Sequence, residues 1–165
     1  MGLINGYVEN EKTIFKPDNN ITRAEFAKML ASYLALDLNG YTAYGTEFAD
    51  ADVIADWSSS YIKALSSEGY MNGKSNPDGS ITFDPNAFIT REEAMHVFSK
   101  LITLDNLAEL EFSDSDLVND WALDSVKKVV GAGIVTGFDD GTLRAQAPVT
   151  RAQMCTMFTR IWNNK

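Results

Sequence analysis

No disulfide can form within this chain, because Cys155 is its one cysteine. With His96 as the one histidine, a four-ligand cysteine–histidine zinc site is excluded too. Against 23 Asp and Glu stand 14 Lys and Arg, a formal charge of −9, and no run of cations interrupts that balance. A sequence-independent nucleic-acid binder displaces phosphate counterions with a basic face, so nucleic acid is set aside as a partner. No apolar stretch approaches the roughly 18–20 residues a helix needs to span a bilayer, so membrane insertion is not expected, and no segment resembles a signal peptide. Met1-Gly2 reads as a start added to an excised fragment. What is present is ordinary for a folded chain: 45% hydrophobic and 11% aromatic residues over 165 positions. That length suffices for one domain or a few small repeats sharing a core.

Self-comparison finds the repeats. Ile21-Thr22-Arg23-Ala24-Glu25, Ile89-Thr90-Arg91-Glu92-Glu93 and Val149-Thr150-Arg151-Ala152-Gln153 share one pattern. Behind each runs an apolar stripe at helical spacing: Phe26, Met29, Leu30, Tyr33, Leu34, then Ala94, Val97, Phe98, Leu101, Ile102, then Met154, Met157, Phe158, Ile161, Trp162. Thr22, Thr90 and Thr150 stand where a hydroxyl caps the N–H three residues on, and Glu25, Glu93 and Gln153 can reach back to the cap's own N–H. Such a capping box is worth about 1 kcal/mol per helix. Ile21, Ile89 and Val149 complete a hydrophobic staple.

A second block lies upstream of each complete copy. Phe48-Ala49-Asp50 through Asp56-Trp57 matches Phe112-Ser113-Asp114 through Asp120-Trp121. Each tryptophan opens a second helix, here termed the front helix, which ends at Gly69 or Gly133 in a left-handed turn. Turns at Asp78-Gly79 and Asp140-Gly141, a short extended piece and Pro85 or Pro148 lead to the next capped helix. Copy one begins at Gly2-Leu3-Ile4-Asn5-Gly6, equivalent to Gly69–Gly73, and has no front helix. The repeats are therefore 1–36 (front helix missing), 46–104 and 110–165, expected to form one structural unit.

Three Thr-Arg capping boxes in phase with two Asp-Trp helices resemble the S-layer homology family over nearly the whole chain. The resemblance implies a mainly α fold. Tandem helix–loop–helix repeats stand in a pseudo-threefold arrangement around a shared helical core, with short extended segments in the loops. It implies an exported protein held non-covalently on a bacterial cell wall or S-layer by secondary cell-wall polysaccharide, often pyruvylated amino sugars, bound in grooves between repeats. Arg23, Arg91 and Arg151 are the ligand-binding residues it carries over, with Asp50, Asp114, Trp57 and Trp121 lining or shaping the sites. The other class of function is a helical-repeat protein-interaction or structural assembly module of a surface protein.

The residues also speak without the family. An arginine just after each cap opposes the helix dipole, and three such placements call for a cause. A guanidinium and helix N–H groups can converge on a carboxylate, such as that of a ketal-linked pyruvate. Alternatively each arginine pairs with an acid such as Glu25, Glu92 or an aspartate of a neighbouring repeat. At about 8 Å of screening length, repulsion between an acidic protein and an anionic polymer stays local. Trp57 and Trp121 read first as core anchors and second as sugar-stacking platforms. The aspartates at 50, 52, 56 and at 114, 116, 120 lack the loop of an EF-hand and read as helix caps, so no metal or other cofactor is expected. No Ser–His–Asp set stands out from the repeat symmetry, so no catalytic residue is assigned and the chain is not read as an enzyme. If the stripe of Phe26, Met29, Leu30 and Tyr33 packs against the missing front helix, the first repeat exposes apolar surface and supports self-association.

Overall fold

Each Thr-Arg string opens a helix in the computed structural model, which describes residues 6–103 and 107–164. The helices are α1 (Arg23–Leu34), α2 (Asp56–Ser67), α3 (Arg91–Ser99), α4 (Leu123–Gly131) and α5 (Arg151–Asn163). Two short antiparallel hairpins complete the regular structure: β1 (Tyr7–Glu9) with β2 (Lys12–Ile14), and β3 (Lys74–Ser75) with β4 (Ile81–Thr82). All three capping boxes form, the Thr22, Thr90 and Thr150 hydroxyls accepting from the third-residue N–H at 3.2–3.3 Å. The staple residues Ile21, Ile89 and Val149 are fully buried. The fold is thus mainly helical, built of helix–loop–helix repeats. The equivalence of Gly2–Asn5 with the later glycine turns lies outside the described residues.

Gly73 shows why the connector needs its glycine. Its φ is +78°, and a Cβ there would come within 2.8 Å of Ile81, Thr82 and Phe48. Gly137 repeats the conformation in the third copy, against Phe112.

The chain divides into two packing units that cut across the repeats. One holds Met1–Lys16 and Ile21–Phe88, the other Pro17–Asn20 and Ile89–Lys165. In the first unit α1 packs on α2; in the second α3 packs on α4. A capped helix therefore lies against the front helix of the following repeat, not of its own. This corrects the expectation for the first repeat. Phe26 and Leu30 are fully buried, and Met29 and Tyr33 are 5% exposed, because α2 already covers their helix.

Candidate functional site: the arginine clamp and its cavity

The connector between front helix and capped helix contains one residue in the left-handed region, Asp84 (φ +54°) in one copy and Arg144 (φ +55°) in the next. Neither is glycine, so each conformation is held by partners. Asp50 Oδ1 and Oδ2 accept from the N–H groups of Phe83 and Asp84 at 2.7 and 2.8 Å. Asp114 does the same for Leu143 and Arg144, at 2.7 and 2.8 Å. The capped-helix arginines hold the other side of the same peptides. Arg23 Nε donates to the Phe83 carbonyl at 2.7 Å, and Arg91 Nε to that of Leu143 at 2.9 Å. The structure thus brings Arg23 together with Asp50, and Arg91 together with Asp114. These aspartates do not cap helices: the residues flanking the Asp-Trp helices make no side-chain cap bond.

The helix N-termini are not open to an anion. The Arg23 and Ala24 N–H groups donate to Ala87 and Pro85, those of Arg91 and Glu92 to Ala147 and Ala145, and those of Arg151 and Ala152 to Asn19 and Pro17. With the third N–H taken by the threonine, the picture of backbone N–H groups converging on a carboxylate is corrected. Any anion site must be built from side chains.

One such place exists in the second unit. A cavity of roughly 140 Å³ is lined by Arg91, Phe138, Gln153, Thr156, Met157 and Arg160, among others. Arg91 is 4% exposed and makes no ion pair among the described residues. Its guanidinium carbon lies 4.7 Å from the Phe138 ring centroid, and that of Arg144 lies 4.2 Å from the same ring. Burial first, and then repulsion from Arg144, lower the Arg91 pKa to about 10, against the opposing pull of Asp114. Arg160 adds a second guanidinium, positioned by its bonds to the Ile134 carbonyl and the Thr136 hydroxyl at 3.1 and 3.4 Å. A cavity with two cations and no carboxylate in its lining favours an anionic guest. Arg144 itself is neutralised by Asp140 at 2.6 Å, whose carboxyl is lowered to about 2 by hydrogen bonds from Thr142 and Arg144.

Arg23 and Arg151 are each 5% exposed and, like Asp114, are not among the residues lining this cavity. The two tryptophans are not core anchors. Trp57 is 50% and Trp121 54% exposed, each a tread on its front helix beside a capped-helix side chain. Lys28 Nζ lies 5.9 Å from the Trp57 ring, and the His96 ring 5.6 Å from that of Trp121. Among the described residues no cluster of three or more acids, histidines and cysteines could hold a metal ion.

Sequence reasoning missed Arg160, Phe138 and the use of Glu92. Lys100 stands at the second-copy position equivalent to Arg160, a shared cation that repeat alignment alone could have found. Glu92, where the second copy departs from alanine, is 3% exposed and accepts from the backbone N–H and side-chain amide of Asn119.

A profile described as the S-layer homology domain matches residues 1–27, 47–95 and 111–155. Relatives include cell surface glycoprotein 1 of Acetivibrio thermocellus, 32% identical over 88% of this chain and 6% of its own length. The cellulosome-anchoring protein of the same organism is 32% identical over 89% of this chain and 33% of its own length. The surface-layer 125 kDa protein of Lysinibacillus sphaericus is 32% identical over 76% and 11%. The chain thus spans a third or less of each of these relatives. Three family matches fall on the three Thr-Arg repeats whose arginine clamps organise the fold, and the chain belongs to the S-layer homology domain family.

Proposed function

We propose that this chain anchors an exported protein non-covalently to a bacterial cell wall or S-layer, without catalysis of its own, by binding secondary cell-wall polysaccharide. Relatives whose names place them in surface layers and cellulosome anchoring support the anchoring role. The observation that carries the ligand chemistry is Arg91: a buried guanidinium with no carboxylate partner, facing a cavity that also holds Arg160. A carboxylate on a sugar, as in a pyruvylated amino sugar, would lift the cost of that buried cation and take the donors of Gln153 and Thr156. Asp114 acts by positioning the Leu143 peptide, and Trp57 and Trp121 offer exposed rings on which sugars stack.

Thr156 is exposed and on the cavity lining, so it tests the charge of the ligand without disturbing the clamp. Thr156→Glu should abolish sedimentation with purified cell walls, while Thr156→Lys retains it, with unchanged circular dichroism in both. Equal binding by the two variants, or binding that survives extraction of the secondary polymer, would overturn the reading. The exposed pair Leu117 and Trp121, 60% and 54% accessible, favours the protein-interaction module as the second reading. Under that reading Leu117→Asp, and not Thr156→Glu, removes binding.

A further inference from the structure

Three helices carry the capping box, and two of them lie under a front helix. On α1 the face under α2 includes Ala24, Ala27 and Ala31, at 3%, 0% and 2% exposure. On α3 the equivalent Glu92, Met95 and Ser99 lie at 3%, 0% and 9%. On α5 the same positions are Ala152 and Cys155, both only half-buried, and Thr159, which is exposed. The opposite stripe of α5, Met154, Met157, Phe158 and Ile161, is fully packed. Only the front-helix side is open.

Chain connectivity says which kind of segment belongs there. The connector that follows α2 supplies the Pro85 and Ala87 carbonyls that start α1, the helix α2 covers. The connector that follows α4 supplies Ala145 and Ala147 to α3, the helix α4 covers. For α5 the carbonyls come from Pro17 and Asn19. By the same rule, the helix that covers α5 is one that would lead into the connector at residues 17–19. Both front helices of this chain are already engaged.

We infer that the Ala152–Cys155–Thr159 face of α5 is the seat of a third front helix, an amphipathic helix with an Asp-Trp start supplied by a further segment of the same pattern. The seat selects for the α2 kind. Glu92 on α3 is matched by the two donors of Asn119 at the start of the α4 region, whereas α5, like α1, carries alanine there and asks for a start without such donors. Small side chains at 155 and 159 permit the close approach that Ala27 and Ala31 permit on α1. On α1 and α3 the front-helix tryptophan lies beside Lys28 and His96. The equivalent residue on α5 is Thr156, on the lining of the Arg91–Arg160 cavity. Docking therefore brings an indole to the edge of that cavity. The inference rests on burial and connectivity and holds whether or not the cavity takes a polysaccharide.

Cys155 is the chain's one thiol and reports directly on the seat. The test places a copy of residues 46–68 in place of Met1, so that Gly2 follows it as Gly69 follows Glu68, and measures alkylation of Cys155 by iodoacetamide. The graft should slow labelling by about tenfold or more, the rate following the fraction of time the face is open. Adding Thr159→Arg to the grafted chain should restore the rate of the ungrafted Thr159→Arg protein. Equal rates with and without a folded graft would overturn the proposal. Should circular dichroism show that the graft leaves the chain unfolded, a peptide of residues 46–72 added to the full native chain decides. Saturable slowing of alkylation supports the seat, and an unchanged rate up to millimolar peptide overturns it.

Discussion

Arg91 and Asp114 hold one residue from its two sides: the arginine Nε donates to the Leu143 carbonyl at 2.9 Å, and the aspartate Oδ1 accepts from the Leu143 N–H at 2.7 Å. Two side chains that belong to different repeats in the sequence meet on the backbone of a third segment. The motif residues are thus tied to the fold before they are tied to any ligand.

Removing the aspartate should show this. Asp114→Ala frees two backbone N–H groups and the left-handed Arg144, at an expected loss of about 2 kcal/mol by urea unfolding. Asp114→Asn should do little better, because an amide turns a donor towards one of the two N–H groups. Partial burial acts to raise the Asp114 pKa, yet the Leu143 and Arg144 N–H groups hold it below the ordinary value. Its contribution is therefore complete above the unfolded carboxylate pKa and disappears as pH falls through the lower folded one. The acid limb of a stability–pH curve should be shallower in Asp114→Ala.

Arg91 offers a cleaner separation of fold from function. Arg91→Met leaves the Leu143 carbonyl without its partner, a cost of about 1–3 kcal/mol, but also removes a buried cation that has no ion pair. The two effects oppose, so unfolding free energy should change by only about 1 kcal/mol. Wall sedimentation should be lost all the same. Arg91→Met that binds walls as well as the parent would remove the guanidinium from the ligand site.

Capping boxes, stripes and glycine turns were legible because each depends on residues within a few positions of one another. Thr150 with Gln153 and Ile161 with Phe158 need no knowledge of the rest of the chain. The partner of each helix was not legible. Nothing local to Phe26 says that α2, some 30 positions on, covers it, and the exposed stripe expected on α1 followed from pairing each front helix within its own repeat. The same limit hid the occupied helix N-termini, whose acceptors at Ala87, Ala147 and Asn19 come from other copies. Trp57 and Trp121 were misjudged because size alone suggested a core, while their place at the first turn leaves one face in solvent.

Glu92 separates a chance departure from a fitted one. Its carboxylate takes both donors of Asn119 within the α3–α4 contact and is almost wholly buried there. Glu92→Gln keeps one acceptor and should cost little, while Glu92→Ala leaves the Asn119 N–H unmatched and should cost about 2 kcal/mol by urea unfolding. Pairing Glu92→Ala with Asn119→Ala, the residue standing at the position of Ala55 in the second copy, should recover part of that loss. A double-mutant cycle with no coupling would mean that the bond contributes nothing.

His96 gives the contact between α3 and α4 a dependence on pH. Its Nδ1 lies 2.9 Å from the Ser125 hydroxyl, and its ring meets Trp121 edge-on. Burial first, and then the charge of Lys100 one turn on, hold its pKa below the model imidazole value of 6.5. The folded chain therefore prefers the neutral ring, and the unfolded chain takes up the proton first as the medium is acidified. The sign follows: stability from this site is whole above the unfolded pKa and is lost as pH drops through the folded one. Unfolding midpoints in urea should fall between pH 7.5 and pH 5 for the parent and stay nearly level for His96→Gln, which keeps a neutral hydrogen-bonding group. Parallel curves for the two proteins would locate the acid sensitivity in the carboxylates instead.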